Sequence, residues 1–248
     1  MFLAGSCLCY TITLMLKLKL YQSMPYRCSY LPDKTAHHFA SDSSQILSTE
    51  IYSQLINLGF RRSGERIHRP NCLSCSQCIS LRIPVKSFSP SRSQKRCLAK
   101  NSDLNLIINK SSNHARYYDL YGDYILSAHP ESEGMHGVTD TFENFLFSGW
   151  SETFTIEFRL PCGELVCASV CDQLIQGWSA VYTFYHPRHS YRSLGTFSIL
   201  KQIDLLQQQG FDYLYLGYWI RDCQKMNYKS KYKPCEGFID NEWITVNE

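Results

Sequence analysis

The stretch from Thr153 to Tyr218 limits the folds open to this chain more than any other. Thr153–Leu160 alternates Phe154, Ile156, Phe158 and Leu160, the period of a half-buried strand. Pro161–Glu164 is a turn. Leu165–Cys171 and Leu174–Tyr185 then complete a three-strand meander. After the loop His186–Leu194, the segment Gly195–Gln209 repeats Phe197, Ile199, Leu200, Ile203 and Leu206 at helical spacing and stops at Gly210. Asp212–Tyr218 reads as a strand again, and Phe238–Val246 can close the sheet.

Antiparallel meander, glycine-led helix, strand is the element order of an acetyltransferase-like α/β fold. In such a fold the helix N-terminus after the long strand offers free N–H groups and a positive dipole to a donor's phosphates. Gly195 opens that helix here, and Arg188 and Arg192 precede it. Coenzyme A enzymes of this fold carry a second small residue two positions on. Gly195-Thr196-Phe197 lacks it, which argues against a coenzyme A donor but permits another with a phosphate or ribose end.

Upstream, Ser48 can cap a short helix carrying Ile51, Leu55 and Leu58. Arg61–Lys100 concentrates charge: ten Lys/Arg against one acid, Glu65, a local +9 in a chain of net +3. A polyanion is the expected partner. Within this stretch Ile79–Val85 alternates like a strand and Ser91–Lys100 reads as a basic helix. Asp103–Asn109 is another strand, and Asn113–Ala128 a helix with Tyr117, Leu120, Tyr121 and Tyr124 on one stripe.

Residues 1–20 are apolar but lack a basic start and a small-residue cleavage site, and Lys17 and Lys19 cut the run short of a membrane span. Residues 1–23 fit an over-extended start, with Met24 the expected beginning. The chain reads as cytosolic, with no membrane partner and with its twelve cysteines reduced, metal-bound or redox-sensing.

Several short motifs, in order, resemble the bacterial aminoacyl-tRNA–protein transferases, specifically the aspartate/glutamate leucyltransferase branch. They are Cys28-Ser-Tyr-Leu-Pro32, Gly59-Phe-Arg-Arg-Ser-Gly64 and Arg69-Pro-x-Cys72-x-x-Cys75-x-x-Cys78, then Ser91-Arg-Ser-Gln94 and Ser179-Ala-Val-Tyr-Thr-Phe-Tyr185. Ser193-Leu-Gly195, Leu216-Gly-Tyr218 and Lys225-Met-x-Tyr-Lys229 complete the set. The resemblance implies transfer of leucine from leucyl-tRNA to the α-amine of proteins beginning with Asp or Glu, marking them for degradation. It also implies two acetyltransferase-like halves with mixed, largely antiparallel sheets flanked by helices. From the residues we expect an N-terminal cysteine-containing basic domain over 24–110 and a catalytic domain over 111–248. An arginyl donor, or a non-catalytic metal-containing tRNA-binding protein, are the alternatives.

Ester aminolysis needs a deprotonated amine, alignment and donors for the oxyanion, and no cofactor. Alignment alone can supply roughly 7–11 kcal/mol. Tyr182 and Tyr185 are candidate walls and hydroxyl donors at the leucyl ester, or packed aromatics. Asp172 is a candidate base or amine-orienting group, or a turn cap. Arg62, Arg66 and Arg69 are candidates for clamping the acceptor's carboxylate, a task that suits Arg better than Lys. Arg92, Arg96, Arg192, Gly195, Lys225, Tyr228 and Lys229 are candidates for holding tRNA, the last three resembling the family motif. Cys28, Cys72, Cys75 and Cys78 could make a zinc or iron–sulfur site. Eukaryotic arginyltransferase relatives bind a metal or cluster through two cysteine pairs, but here the first pair reads Cys28-x-x-Leu31. Plain buried or redox-sensitive thiols are the alternative.

Overall fold

The computed structural model describes residues 18–111, 114–128 and 138–247, with side chains left out for 138–141. Eight strands share one sheet. In spatial order they are Glu242–Thr245, Glu236–Ile239, Ile79–Pro84, Tyr213–Trp219, Gly177–Tyr185, Leu165–Leu174, Thr153–Arg159 and Asn105–Asn109. All neighbours run antiparallel except Gly177–Tyr185 and Tyr213–Trp219, which are parallel. The crossover between these two is the helix Leu194–Gln208, as the meander–helix–strand order requires. It buries Phe197, Leu200, Ile203 and Leu206 against Phe158, Val166 and Leu214. The helix Arg92–Lys100 packs beside it, started by a reciprocal capping box between Ser91 and Gln94.

The opposite face of the meander is covered by the helices Tyr118–Ala128 and Val138–Leu146. Tyr121, Phe142 and Leu146 pack there on Ala168, Val170 and Phe184. A second sheet, in the order Leu20–Gln22, His38–Ser41, Arg66–Pro70 and Arg61–Ser63, lies with the helix Thr49–Asn57 against Leu174 and Tyr215. Ser48 caps that helix as expected, accepting from the Ile51 amide.

Two features differ from the sequence reading. Residues 18–22 do not behave as a dispensable extension: Leu18 and Leu20 are buried in the core, and Leu20–Gln22 pairs with Phe39–Ser41. Residues 1–17 lie outside the described residues. Moreover, a boundary at residue 110 cuts through the large sheet. Ile79–Pro84 is inserted between Tyr213–Trp219 and Glu236–Ile239, while Asn105–Asn109 pairs with Thr153–Arg159. Hydrogen-bonded pairing joins segments far apart in sequence, which local pattern does not reveal.

Candidate active site

The two parallel strands share only three pairs, Gly177 with Tyr213, Trp178 with Leu214 and Ser179 with Tyr215, and then separate. Each shifts register immediately beyond the last pair. Gly177–Tyr185 does so opposite Val170/Cys171, and Tyr213–Trp219 between Tyr215 and Gly217. A one-residue bulge bends and over-twists its strand, so two bulges at one level open the sheet into a wedge. Gly217 takes the left-handed φ of +78° that its bulge requires.

The floor of the wedge is a buried polar cluster. Asp172, fully buried, receives Arg62 Nε at 2.7 Å and Nη2 at 2.8 Å, Tyr52 Oη at 2.8 Å and Thr153 Oγ1 at 2.6 Å. Arg62 also donates to the carbonyls of Gly64 and Leu146. This corrects two expectations. Arg62 has its carboxylate inside the protein and is no acceptor clamp. Asp172, with four donors on its two oxygens and no exposure, is no base for an incoming amine. Both hold the helix Thr49–Asn57 and the strand Arg61–Ser63 to the meander. Burial, and then the Asp172 charge, push the Tyr52 phenol far above its usual range.

One wall of the wedge is aromatic. Tyr182 packs edge-on against Tyr121, Tyr124 and Phe145 at 6.1, 6.2 and 5.6 Å, and Tyr124 reaches Tyr185 at 5.0 Å. Tyr228, on the turn Asn227–Lys231, lies close to both Tyr124 and Tyr182. Burial, with the phenols of Tyr185 and Tyr228 beside it, pushes Tyr124 up to about 12. Burial likewise raises Tyr182. These hydroxyls therefore stay protonated, and none of the four has a hydrogen-bond partner among the described residues. They are donors awaiting an acceptor.

The other side carries Arg61 and Lys229, which sequence reasoning placed elsewhere or passed over. Lys229 is only 8% exposed, and its Nζ donates to the Tyr218 carbonyl at 2.7 Å. Its burial takes it out of the solvated surface charge that a Lys-rich run suggests. Burial, and then Arg61, push it down to about 7.

The remaining expected residues scatter. Arg69 donates to the Leu58 carbonyl and lines a cleft of about 320 Å³ with Cys72, Cys75, Cys78 and Tyr218. Arg66 is exposed at the turn between its two strands. Arg92, Arg96 and Lys225 are exposed. Arg192 is paired with Asp103 at 2.9 and 3.0 Å and Arg188 with Glu164, so neither guanidinium is left for a phosphate alone. Gly195 faces open space at the helix start. Three of the ten cations of the basic stretch, Arg61, Arg62 and Arg82, are buried, which leaves less charge at the surface than its sequence promises.

Cys28, Cys72, Cys75 and Cys78 gather near one another. Burial, and then the Cys28, Cys72 and Cys75 thiols, push Cys78 up to about 12. Backbone amides of Leu31 and His37 donate to the sulfurs of Cys28 and Cys72, each at 3.4 Å. Yet among the described residues no three Cys, His, Asp or Glu side chains stand where they could hold one metal ion. No described helix is long and apolar enough to cross a membrane.

The chain is similar to known proteins along almost its full length. A family profile described as "Arginine-tRNA-protein transferase, N terminus" matches residues 26–96, and "Arginine-tRNA-protein transferase, C terminus" matches residues 116–239. The aspartate/glutamate leucyltransferase of Saccharophagus degradans is 44% identical over 92% of this chain and 97% of its own. That of Pseudomonas putida is 42% identical over 95% of this chain and all of its own. A solved glucosamine N-acetyltransferase region from a fungal multi-domain enzyme is 10% identical, with a TM-score of 0.41 over 68% of this chain and 20% of its own. Matched by both family profiles and by relatives along almost its full length, the chain belongs to the arginine-tRNA-protein transferase family, in the aspartate/glutamate leucyltransferase branch.

Proposed function

We propose that this protein transfers leucine from leucyl-tRNA to the α-amine of proteins that begin with Asp or Glu, marking them for degradation. The observation that carries this reading is the 42–44% identity to leucyltransferases across more than nine-tenths of the chain. The wedge supports it. In this reading the acceptor amine attacks the leucyl ester carbonyl, a C–N bond forms, the C–O bond to the ribose breaks, and the amine proton ends on the ribose oxygen. Tyr182, Tyr185, Tyr124 and Tyr228 supply aromatic surface for the leucyl side chain and free hydroxyls for the developing oxyanion, the kind of preorganised donor that lowers acyl-transfer barriers. The exposed Arg92, Arg96 and Lys225, with the open helix start at Gly195, serve the tRNA. Zinc or an iron–sulfur cluster at Cys28, Cys72, Cys75 and Cys78 stands as a proposal apart from this chemistry, tested by metal analysis of anaerobically purified protein.

The deciding experiment offers the protein leucyl- or arginyl-tRNA carrying a radiolabelled amino acid, with peptides beginning with Asp, Glu or Ala. Leucine is expected on the Asp and Glu peptides alone. Transfer of arginine, or tRNA binding without product, refutes the reading.

A further inference from the structure

Arg61 and Arg62 are successive residues of one strand, so their side chains leave on opposite faces. Arg62 finds Asp172. Arg61 turns toward the strand Tyr213–Trp219 and has no salt-bridge partner among the described residues, although it is only 6% exposed. Its guanidinium is nevertheless fixed in place. Nη1 donates to the carbonyls of Phe60 at 2.6 Å and Ile56 at 3.4 Å, and the rings of Tyr215 and Tyr218 lie 5.6 and 5.9 Å from its centre. The opposite edge, Nε and Nη2, is buried and has no partner.

A second buried cation faces the same place. A Cβ added to Gly217 would lie 3.7 Å from Lys229 Nζ and 4.0 Å from Arg61 Nε, and would meet nothing else within 4 Å. Gly217 itself is half-buried. Two desolvated like charges aimed at one small vacant volume are unfavourable alone and become favourable around an anion.

We infer that the Nε/Nη2 edge of Arg61 and the ammonium of Lys229, across Gly217, receive the side-chain carboxylate of the acceptor's first residue. The inference rests on the transfer reading above and assigns its specificity. The shape of the open edge favours a carboxylate. Nε and Nη2 are the same pair through which Arg62 grips both oxygens of Asp172. The position favours the acceptor, because Lys229 follows Tyr228 of the aromatic wall on the same turn. An acid seated there thus has its own α-amine near the site proposed for the ester. The chemistry explains selection: an Asp or Glu carboxylate compensates the Arg61 guanidinium and keeps the Lys229 amine protonated, and Asn or Gln does neither.

Short peptides identical except for a first residue of Asp or Asn serve as probes. Their binding is measured by calorimetry, with and without deacylated tRNA, alongside leucyl transfer. Wild type is expected to favour the Asp peptide by roughly ten- to a hundredfold, the range of charge-assisted hydrogen bonds. Arg61→Gln and Lys229→Met are each expected to lose most of that preference with leucyl-tRNA affinity unchanged. Arg61→Lys, which keeps the charge but not the fork, is expected to fall between. Because Lys229→Met loses the hydrogen bond to the Tyr218 carbonyl, the melting temperature of every variant is read alongside, and only variants folded at the assay temperature are scored.

Folded variants that keep the full preference, or a wild type that shows none, overturn the inference. Variants that lose leucyl-tRNA affinity while keeping the peptide preference assign the cradle to a tRNA phosphate and overturn it equally. A wild type that prefers Asp through these residues yet transfers nothing would instead refute the transfer reading and leave the receptor standing.

Discussion

Asp172→Asn separates a structural from a chemical role for the Arg62–Asp172 pair. The carboxylate accepts four hydrogen bonds between 2.6 and 2.8 Å, two of them from a guanidinium whose side chain is fully buried. The amide keeps one acceptor oxygen and turns a donor toward donors. It also leaves the Arg62 charge uncompensated. Breaking one side of such a buried pair costs about 3–5 kcal/mol, a large share of the roughly 5–15 kcal/mol available to a folded domain. For a chain of this length that is a fall in Tm of about 6–20 °C. Urea unfolding followed by tryptophan fluorescence is a suitable assay, since Trp150 packs edge-on against Tyr52, one of the Asp172 donors, at 5.2 Å. The double variant Arg62→Met with Asp172→Leu removes both charges and is expected to recover much of the loss, so the singles will not add. An Asp172→Asn protein with wild-type stability and an abolished kcat would refute this reasoning and restore Asp172 as a participant in the reaction.

Tyr182→Phe is expected to leave the melting temperature within about 1–2 °C of wild type, since the lost hydroxyl has no partner, while lowering single-turnover leucyl transfer by roughly tenfold or more; unchanged transfer would confine Tyr182 to packing. His68 lies 6.0 Å from the Tyr218 ring and 6.2 Å from His38, and burial, then His38 and Arg61, push it down to about 4. The unfolded chain therefore binds more protons than the native one between about pH 6.5 and 4, and stability is expected to fall across that window. Urea midpoints against pH for wild type and His68→Phe check this: the variant's curve is expected to be flatter there.

Much of the fold could be read from pattern. The meander, the helix after it and the capped helices at Ser48 and Ser91 are local signals, and local signals survive in sequence. The aromatic wall was half visible, since Tyr182 and Tyr185 stood out on their strand while Tyr124 looked like core stripe. Which arginine did what was not visible. Arg61 and Arg62 differ by one position, yet strand alternation sends one to Asp172, far along the chain, and the other to Gly217. Charge counting could not separate a cation with an internal acid from one without. The burial of Lys229 was hidden for a related reason: a Lys-rich run reads as solvated surface until a turn carries one member inward. Gly217 held a usable hint, because a glycine interrupting an alternating strand marks a bulge or a close approach.

The insertion of Ile79–Pro84 between Tyr213–Trp219 and Glu236–Ile239 also sets the order in which the protein can be completed on the ribosome. When Ile79–Pro84 emerges, neither neighbour yet exists, and it must wait with both edges bare until Tyr213–Trp219 has been made. The hairpin Glu236–Thr245, joined across Gly237 opposite Leu81, caps it only after that later stretch has emerged as well. Sequence-distant pairings of this kind form slowly and leave exposed edges that invite aggregation. A protein proposed to judge other chains by their first residue thus flanks one of its own early strands with strands made long after it.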